Sequence, residues 1–149
     1  MLDESCKKYI ERIKFLEEEL FRYKYDHLTG LKLRRDFEND FFEKFTSDED
    51  FYLTLIDINN LHTVNRDKGY KYGDLMIRKT ANIIRRILLE CEGTAYRVGG
   101  DEFVILSKKI PNLEYNDEFK YSIVYSESFK DPDEMFDAAD KNVRTQKGK

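Results

Sequence analysis

Residues 97–106 read Arg-Val-Gly-Gly-Asp-Glu-Phe-Val-Ile-Leu, and this stretch predicts a β-hairpin whose tip carries two acids. Strand-forming residues flank the Gly99-Gly100 pair, and two consecutive glycines favour a hairpin turn because glycine accepts positive φ without steric cost. Asp101 and Glu102 follow the turn directly. Adjacent carboxylates beside a turn without side chains suit a divalent cation, which prefers oxygen ligands. The other interpretation is a solvated turn with two surface acids.

A further acid, Asp57, lies near the end of the apolar stretch 51–58, which reads Phe-Tyr-Leu-Thr-Leu-Ile-Asp-Ile. Its length and its aromatic and branched residues predict a strand that is covered on both faces. A buried carboxylate is costly unless it faces a ligand or a partner. If this strand lies beside the hairpin, Asp57 and Asp101 converge, which is how polymerase-like palms hold Mg²⁺ for attack of a hydroxyl on an α-phosphate. A strand-end cap or an ion pair is the alternative role for Asp57.

The order and spacing of five motifs resemble those of the GGDEF family, the catalytic domain of diguanylate cyclases. The matching residues are Asp26-His27-Leu28-Thr29-Gly30-Leu31, Arg34-Arg35 with Phe37, Asp57-Ile58 with Asn65, Gly69 and Gly73-Asp74, Gly99-Gly100-Asp101-Glu102-Phe103, and Ala139-Asp140 with Lys147. The resemblance covers residues 26–149. It implies an α+β fold of the palm type, a mostly antiparallel sheet flanked by helices, in a compact GGDEF domain.

The resemblance also implies which residues would hold a metal ion. Asp57 and Asp101 match the family's ligands for Mg²⁺ (or Mn²⁺), and the carbonyl of Ile58 matches an assisting ligand. Glu102 stands where a second acid ligates the metal or helps to deprotonate the attacking 3′-hydroxyl.

Residues for binding GTP follow from the same resemblance. Asn65 and Asp74 match the guanine-reading pair, and a carboxylate can accept hydrogen bonds from guanine N1–H and the exocyclic amine. Gly99 and Gly100 would let the substrate approach the backbone, and Lys147 matches a phosphate-contacting lysine. The alternatives are helix caps for Asn65 and Asp74 and a solvated helix end for Lys147.

Several residues depart from the family pattern. Asn59, Leu61 and His62 stand where the family usually has Asp, Phe and Lys, and Tyr70 stands where many members have His. A histidine at position 62 is only partly charged at neutral pH. We therefore expect weaker phosphate binding and slower turnover. The segment between the hairpin and residue 119 is also too short for the family's usual helix, which shortens the domain.

The first 25 residues predict a separate signalling helix that pairs as a coiled coil. Apolar residues recur at alternating spacings of four and three, while charged residues fill most other positions. The repeating residues are Leu2, Cys6, Tyr9, Ile13, Leu16, Leu20 and Tyr23. The alternative is an amphipathic helix that packs on its own domain.

The remaining pattern predicts helices at 34–45, 60–66, 73–89 and 131–146 and a strand at 119–125. Asp131-Pro132-Asp133-Glu134 has the features of a capped helix start, with proline in the first turn.

Composition predicts one small cytoplasmic domain. The 149 residues are 40% hydrophobic, which is enough for a single core, and the net charge of −4 argues against a nucleic-acid partner. The two cysteines have no metal-binding spacing and indicate a reducing compartment. No signal-peptide pattern or membrane-spanning apolar run is present, so we expect no membrane partner.

The leading hypothesis is a diguanylate cyclase that condenses two GTP molecules into cyclic di-GMP with release of pyrophosphate. The resemblance implies a homodimer, paired through the N-terminal helix and across the active site. One alternative is a degenerate GGDEF module that binds GTP or dimerises without catalysis. Another is a related cyclase that makes a different cyclic or linear nucleotide.

Overall fold

The structure, a computed structural model, describes residues 1–146 and contains a five-stranded sheet with helices on both faces. The strands are β1 (Lys32–Leu33), β2 (Tyr52–Ile58), β3 (Gly93–Arg97), β4 (Glu102–Ser107) and β5 (Phe119–Tyr125). The helices are α1 (Glu4–Lys24), α2 (Arg34–Thr46), α3 (Leu61–Lys68), α4 (Tyr70–Cys91) and α5 (Pro132–Arg144).

The sheet has the strand order β1–β3–β4–β2–β5. Only the short β1 is parallel to its neighbour β3, and the other three pairings are antiparallel. This arrangement confirms the predicted α+β fold with a mostly antiparallel sheet. The signature hairpin is β3–β4. Strand β2 lies directly beside it, as is required for Asp57 and Asp101 to converge.

Side chains that alternate along β2 enter two separate hydrophobic clusters. Ile56 and Ile58 pack against α3 and α4, in a cluster with Ile77, Ala81 and Ile84. Leu53 and Leu55 pack on the opposite face against α2 and α5, in a cluster with Phe37, Phe41, Met135, Ala139 and Val143. Because β2 is covered on both faces, its nearly continuous apolar sequence is explained.

The helix that was predicted to begin at Gly73 begins three residues earlier, at Tyr70. Gly69 separates α3 from α4 and adopts φ 90°, a conformation that favours glycine. The boundary between the two helices therefore falls at Gly69, and Gly73 lies inside α4. The last helix is capped by Asp131, whose side chain accepts a hydrogen bond from Glu134 N–H, as predicted.

Helix α1 has no buried residue within the described chain. Ile13, Leu16 and Leu20, which belong to the predicted seam, are each about half exposed. This exposure contradicts the alternative in which the helix packs on its own domain. The division into residues 1–25 and 26–149 stays a prediction. Within residues 1–146, none of the helices combines the length and apolar character needed to cross a membrane.

The segment between β4 and β5 contains no helix in residues 108–118, as its length predicted. Leu113 packs against the cluster beneath α3 and α4, and its carbonyl accepts a hydrogen bond from Tyr121 Oη at 2.9 Å. The loop therefore contributes an apolar side chain to that cluster without forming a helix.

Candidate functional site

The two predicted acidic positions meet at one end of the sheet. Asp57 lies opposite Glu102 in the β2–β4 register, and Ile58 N–H donates to the carbonyl of Asp101 at 2.9 Å. Asp57 is only 8% exposed. Because the N–H and C=O of a strand residue point to the same side, the Ile58 carbonyl also faces Asp101. The structure thus brings together Asp57, Ile58, Asp101 and Glu102, the four residues that were proposed for the metal.

The sequence suggested that the hairpin glycines are needed for a backbone conformation, whereas in the structure they are needed for space. Positive φ among the described glycines occurs at Gly30 and Gly69, not at Gly99 or Gly100, so the expected conformational reason is wrong. A Cβ on Gly99 would lie 3.1 Å from Glu102 Oε2, whereas a Cβ on Gly100 would meet nothing within 4 Å. Glycine at 99 therefore leaves room for the Glu102 carboxylate, and Gly100 leaves the tip of the hairpin open.

Electrostatics at this end of the sheet favour a cation. The pKa of Glu102 is raised, first because its carboxylate has lost hydration, and then because Asp101, Asp57 and Asp140 are negatively charged. The positive charge of Arg34 offsets these effects only in part. Glu102 thus lies in a field of like charges, which a bound cation would relieve.

The other side of the hairpin is tied down by an ion pair. Arg97 Nη1 donates to both carboxylate oxygens of Asp26, at 3.1 and 3.2 Å, and Arg97 Nη2 donates to the carbonyl of Gly100 at 2.9 Å. Burial by itself would raise the pKa of Asp26, but hydrogen bonds from Thr29 and the Arg97 charge outweigh it, so the pKa is lowered. This pair connects the segment after α1 to the tip that presents Asp101.

An open cleft of about 820 Å³ lies at the acidic end of the sheet. This volume is within the range of small-molecule sites. The described lining residues are Asp57, Ile58, Asn59, Asn60, Leu61, His62, Asp101, Tyr115, Asn116, Asp117, Phe119, Lys120, Tyr121 and Gln146. We call this space the acidic cleft. Glu102 lies beside it rather than among its lining residues.

The donor set suits magnesium or manganese. Within residues 1–146, no three His, Cys, Asp or Glu side chains are grouped as a cage made by side chains alone. Mg²⁺ is commonly bound by one or two carboxylates together with substrate phosphates, so such a cage is not needed. Asp57, Asp101 and the Ile58 carbonyl supply oxygen ligands of the required kind, and the cleft beside them leaves room for phosphates.

The predicted guanine-reading residues come from two helices that pack against each other. Asn65 lies inside α3, and a Cβ on Gly73 would be only 1.8 Å from Asn65 Oδ1, so this position of the Asn65 side chain requires glycine at 73. Asp74 is the next residue along α4. Neither residue caps a helix, because both lie in helix interiors, and the alternative interpretation as caps is wrong.

One atom of this pair lacks a hydrogen-bond partner. Asn65 Oδ1 is buried and has no hydrogen-bond partner within the described residues. Leaving a buried acceptor unsatisfied is costly, and a nucleobase donor would remove that cost if the Asn65 side chain turned toward the cleft. Asn65 lies one helical turn beyond Leu61, which lines the acidic cleft. Asn65 and Asp74 do not line the cleft themselves but lie on the helices next to it.

Other residues at the cleft could not be assigned from the sequence alone. Lys147 lies outside the described residues, and Gln146, the last one described, lines the cleft. His62, which stands where the family usually has lysine, also lines it. Lys120 was missed, although it is the only charged residue in the β5 sequence, and that contrast was the available signal.

Comparisons with known proteins agree with this geometry. The family model described as "Diguanylate cyclase, GGDEF domain" matches residues 23–120. The chain is similar to diguanylate cyclase VdcA of Vibrio cholerae, with 32% identity over 83 residues, covering 56% of this chain and 24% of VdcA. It is also similar to diguanylate cyclase DgcZ of Escherichia coli, with 36% identity over 85 residues, covering 56% of this chain and 28% of DgcZ. The chain thus spans about a quarter of these relatives.

A solved structure shows the same fold. The coiled coil and GGDEF domain of DgcB from Caulobacter crescentus, in complex with c-di-GMP, aligns with a TM-score of 0.74 at 18% identity. The alignment covers 96% of this chain and 91% of that one. The palm sheet, the intact signature at its hairpin and the family match over residues 23–120 together lead to one conclusion: the chain belongs to the GGDEF family of diguanylate cyclases.

Proposed function

We propose that the protein is a diguanylate cyclase that condenses two GTP molecules into cyclic di-GMP with release of pyrophosphate. The observation that carries the proposal is the β2–β4 register, which sets Asp57 beside the Asp101-Glu102 pair at an open end of the sheet. The 820 Å³ cleft at that end is large enough for a nucleotide.

The acids have distinct roles in this proposal. Asp57 and Asp101, with the Ile58 carbonyl, hold Mg²⁺ or Mn²⁺. When bound, the metal polarises the α-phosphate and lowers the pKa of the attacking 3′-hydroxyl. Glu102 completes the ligand set or accepts the proton of that hydroxyl. Its place opposite Asp57 in the β2–β4 register is compatible with either role.

Asn65 and Asp74 select guanine in this proposal. The Asp74 carboxylate accepts hydrogen bonds from guanine N1–H and the exocyclic amine, and the Asn65 amide satisfies a further polar atom of the base. The buried Oδ1 of Asn65 supports this assignment. Adenine lacks the N1–H and the exocyclic amine at that position, so ATP would leave these groups without partners.

Assembly of two subunits completes the active site. Each palm binds one GTP, and a cyclic dinucleotide requires two 3′-hydroxyls facing two α-phosphates. The exposed apolar residues of α1 support pairing through a parallel coiled coil, which would raise the local concentration of one palm near the other. Twenty-one helical residues span about 32 Å, which makes a marginal coiled coil on its own.

The assembly is tested by replacing Ile13 and Leu20 with Glu, which would bring like charges together in the seam. Specific activity at low enzyme concentration should fall steeply, and GTP binding by each subunit should stay nearly unchanged. Replacing Glu18 with Lys, at a position that faces away from the seam, is the matched control. A seam variant that sediments as a monomer and keeps full specific activity would contradict this role of α1.

The proposed reaction is tested by incubating the purified protein with Mg²⁺ and each of the four nucleoside triphosphates, followed by mass spectrometry. The expected result is cyclic di-GMP and pyrophosphate from GTP alone. A different cyclic or linear product would identify a related cyclase. Calorimetry on the same samples distinguishes loss of catalysis from loss of binding.

A degenerate module is the second candidate, and one observation favours it. His62 lines the cleft at the position of a phosphate-binding lysine, so this wall carries less positive charge than the family pattern provides. Binding of GTP without any condensed product, at enzyme concentrations where the protein is dimeric, would establish this candidate instead.

A further inference from the structure

The acidic cleft contains little positive charge for a ligand that is itself strongly negative. Asp57, Asp101 and Asp117 contribute three carboxylates to its described lining, and His62 contributes at most a partial charge. Among the lining residues within 1–146, Lys120 is the only lysine or arginine. A triphosphate needs cationic partners in addition to a divalent metal, so the position of Lys120 matters.

Strand register places Lys120 next to the metal-binding position. Lys120 lies directly opposite Asp57 in the antiparallel β2–β5 pair, and Glu102 lies opposite Asp57 on the other side. The three side chains therefore form a row across β4, β2 and β5 on one face of the sheet. Residues directly opposite one another in such a sheet have Cβ atoms about 5 Å apart.

The surrounding core identifies that face. Leu55 precedes Asp57 by two residues and packs in the cluster beneath α2 and α5, as does Val124, four residues after Lys120. Phe119 and Tyr121, the two neighbours of Lys120, pack in the opposite cluster. Because side chains alternate along a strand, Lys120 and Asp57 project from the same face.

We propose that Lys120 binds the phosphates of the nucleotide and supplies the positive charge that His62 lacks. This inference rests on the proposed GTP site. The simpler role for Lys120 is a cross-strand ion pair that only neutralises Asp57. Once Asp57 binds a divalent cation, however, that carboxylate is already neutralised, and the ammonium group gains more from a phosphate oxygen. A flexible lysine can serve as a point charge for phosphates in this way.

The test compares the affinities of GMP and of a GTP analogue with a methylene α–β bridge, which cannot be condensed. Calorimetry with Mg²⁺ is performed on the full chain, its Lys120→Met and Lys120→Arg variants, and a Lys108→Met control. Lys108 is exposed and follows the opposite end of β4. Lys120→Met should bind the analogue about tenfold more weakly and GMP nearly as well as wild type, since GMP has one phosphate. Lys120→Arg and Lys108→Met should bind both ligands with nearly wild-type affinity.

The outcomes separate this inference from the function on which it rests. Undiminished binding of the analogue by Lys120→Met overturns the phosphate role of Lys120 alone. Equal weakening of GMP and analogue, with a lowered melting temperature, assigns Lys120 to structural neutralisation of Asp57 and also overturns it. Failure of the wild-type protein to bind the analogue overturns the proposed GTP site and this inference together.

Discussion

Asp26 pairs with Arg97 on the first strand of the signature hairpin, Glu102 begins its second strand, and the pKa values of the two carboxyls are shifted in opposite directions. Asp26 has a lowered pKa because Thr29 and Arg97 outweigh the effect of burial. Glu102 has a raised pKa because it is partly desolvated and has three acids near it. The first carboxylate stabilises the fold, whereas the second costs stability at neutral pH. The difference indicates that like charges are collected at the proposed ligand site, whereas opposite charges are paired where they stabilise the fold.

The largest effect is expected on the acids of the cleft. Asp57→Asn or Asp101→Asn should lower the rate of GTP condensation about 1,000-fold, because losing a metal ligand removes several kcal/mol of transition-state stabilisation. Melting temperatures should stay equal or rise, since repulsion with Glu102 is relieved. Initial rates measure the loss of condensation, and thermal unfolding measures the melting temperatures. Asp48→Asn, which changes an exposed acid outside the cleft, is the control, and wild-type-like turnover in either main variant would refute the assignment.

Breaking the ion pair between Arg97 and Asp26 should have the opposite effect on stability. Arg97→Met should lower the free energy of unfolding by about 2 kcal/mol, because it leaves a part-buried carboxylate without its charged partner. The Arg97 and Asp26 side chains are only 15% and 13% exposed. Urea unfolding measures the change. Arg22→Met, which removes an exposed pair with Glu19, should change stability by less than about 0.5 kcal/mol.

The pH dependence of the Asp26 pair has a definite sign. Because the folded protein lowers the pKa of Asp26, the contribution is present above the unfolded pKa, near 3.8, and is lost as the pH falls through the lowered pKa. Asp26→Asn should therefore flatten the acid limb of the stability curve. A variant with an unchanged acid limb would show that the pair contributes little to folding.

Asp74 is a third carboxylate, and its proposed partner is the nucleobase. Asp74→Ser should reduce discrimination between GTP and ATP by about 10- to 100-fold, because the donors of guanine lose their acceptor. The ratio of kcat/KM for the two substrates measures this. Asp67→Ser, an exposed acid at the end of α3, is the control. Comparable use of ATP and GTP by the wild-type protein would contradict the guanine pocket.

The smallest effect is expected for Glu102→Gln on stability. A raised pKa means that the folded protein binds the proton more tightly, so stability present below the unfolded pKa, near 4.5, is lost as the pH rises through the folded pKa. The Gln variant should be more stable than wild type at pH 7 by about 0.5 kcal/mol, the usual range for a partly exposed position. The gain should disappear near pH 4, and a gain that is independent of pH would point to another cause.

Much of the fold could be predicted because its signals are local. The apolar run at 51–58, the glycine pair of the hairpin and the capped start at Asp131 each act within a few residues, and the structure confirms all three elements. The start of α4 was misplaced because two glycines compete. Gly69 is needed for its backbone conformation, whereas Gly73 is needed for the approach of Asn65.

The site was only partly predictable because some of its contacts depend on strand register. The acids were found through their motifs, but the position of Lys120 opposite Asp57 follows only from the pairing of β2 with β5. Gly99 is a local case: it makes room for Glu102, three residues further on, although its sequence context suggested a turn conformation. A short motif identifies which residues matter, and non-local pairing determines what they face.

Thermal unfolding of wild type and Asp101→Asn, with and without Mg²⁺ and the GTP analogue that cannot be condensed, tests most directly whether the gathered acids form a metal–nucleotide site. The account predicts that saturating ligand, at about 100 times its Kd, stabilises wild type by about 2.7 kcal/mol. It predicts that Asp101→Asn is at least as stable as wild type without ligand and loses most of the ligand-induced gain. A gain of the same size in both proteins, or no gain in wild type, would contradict it.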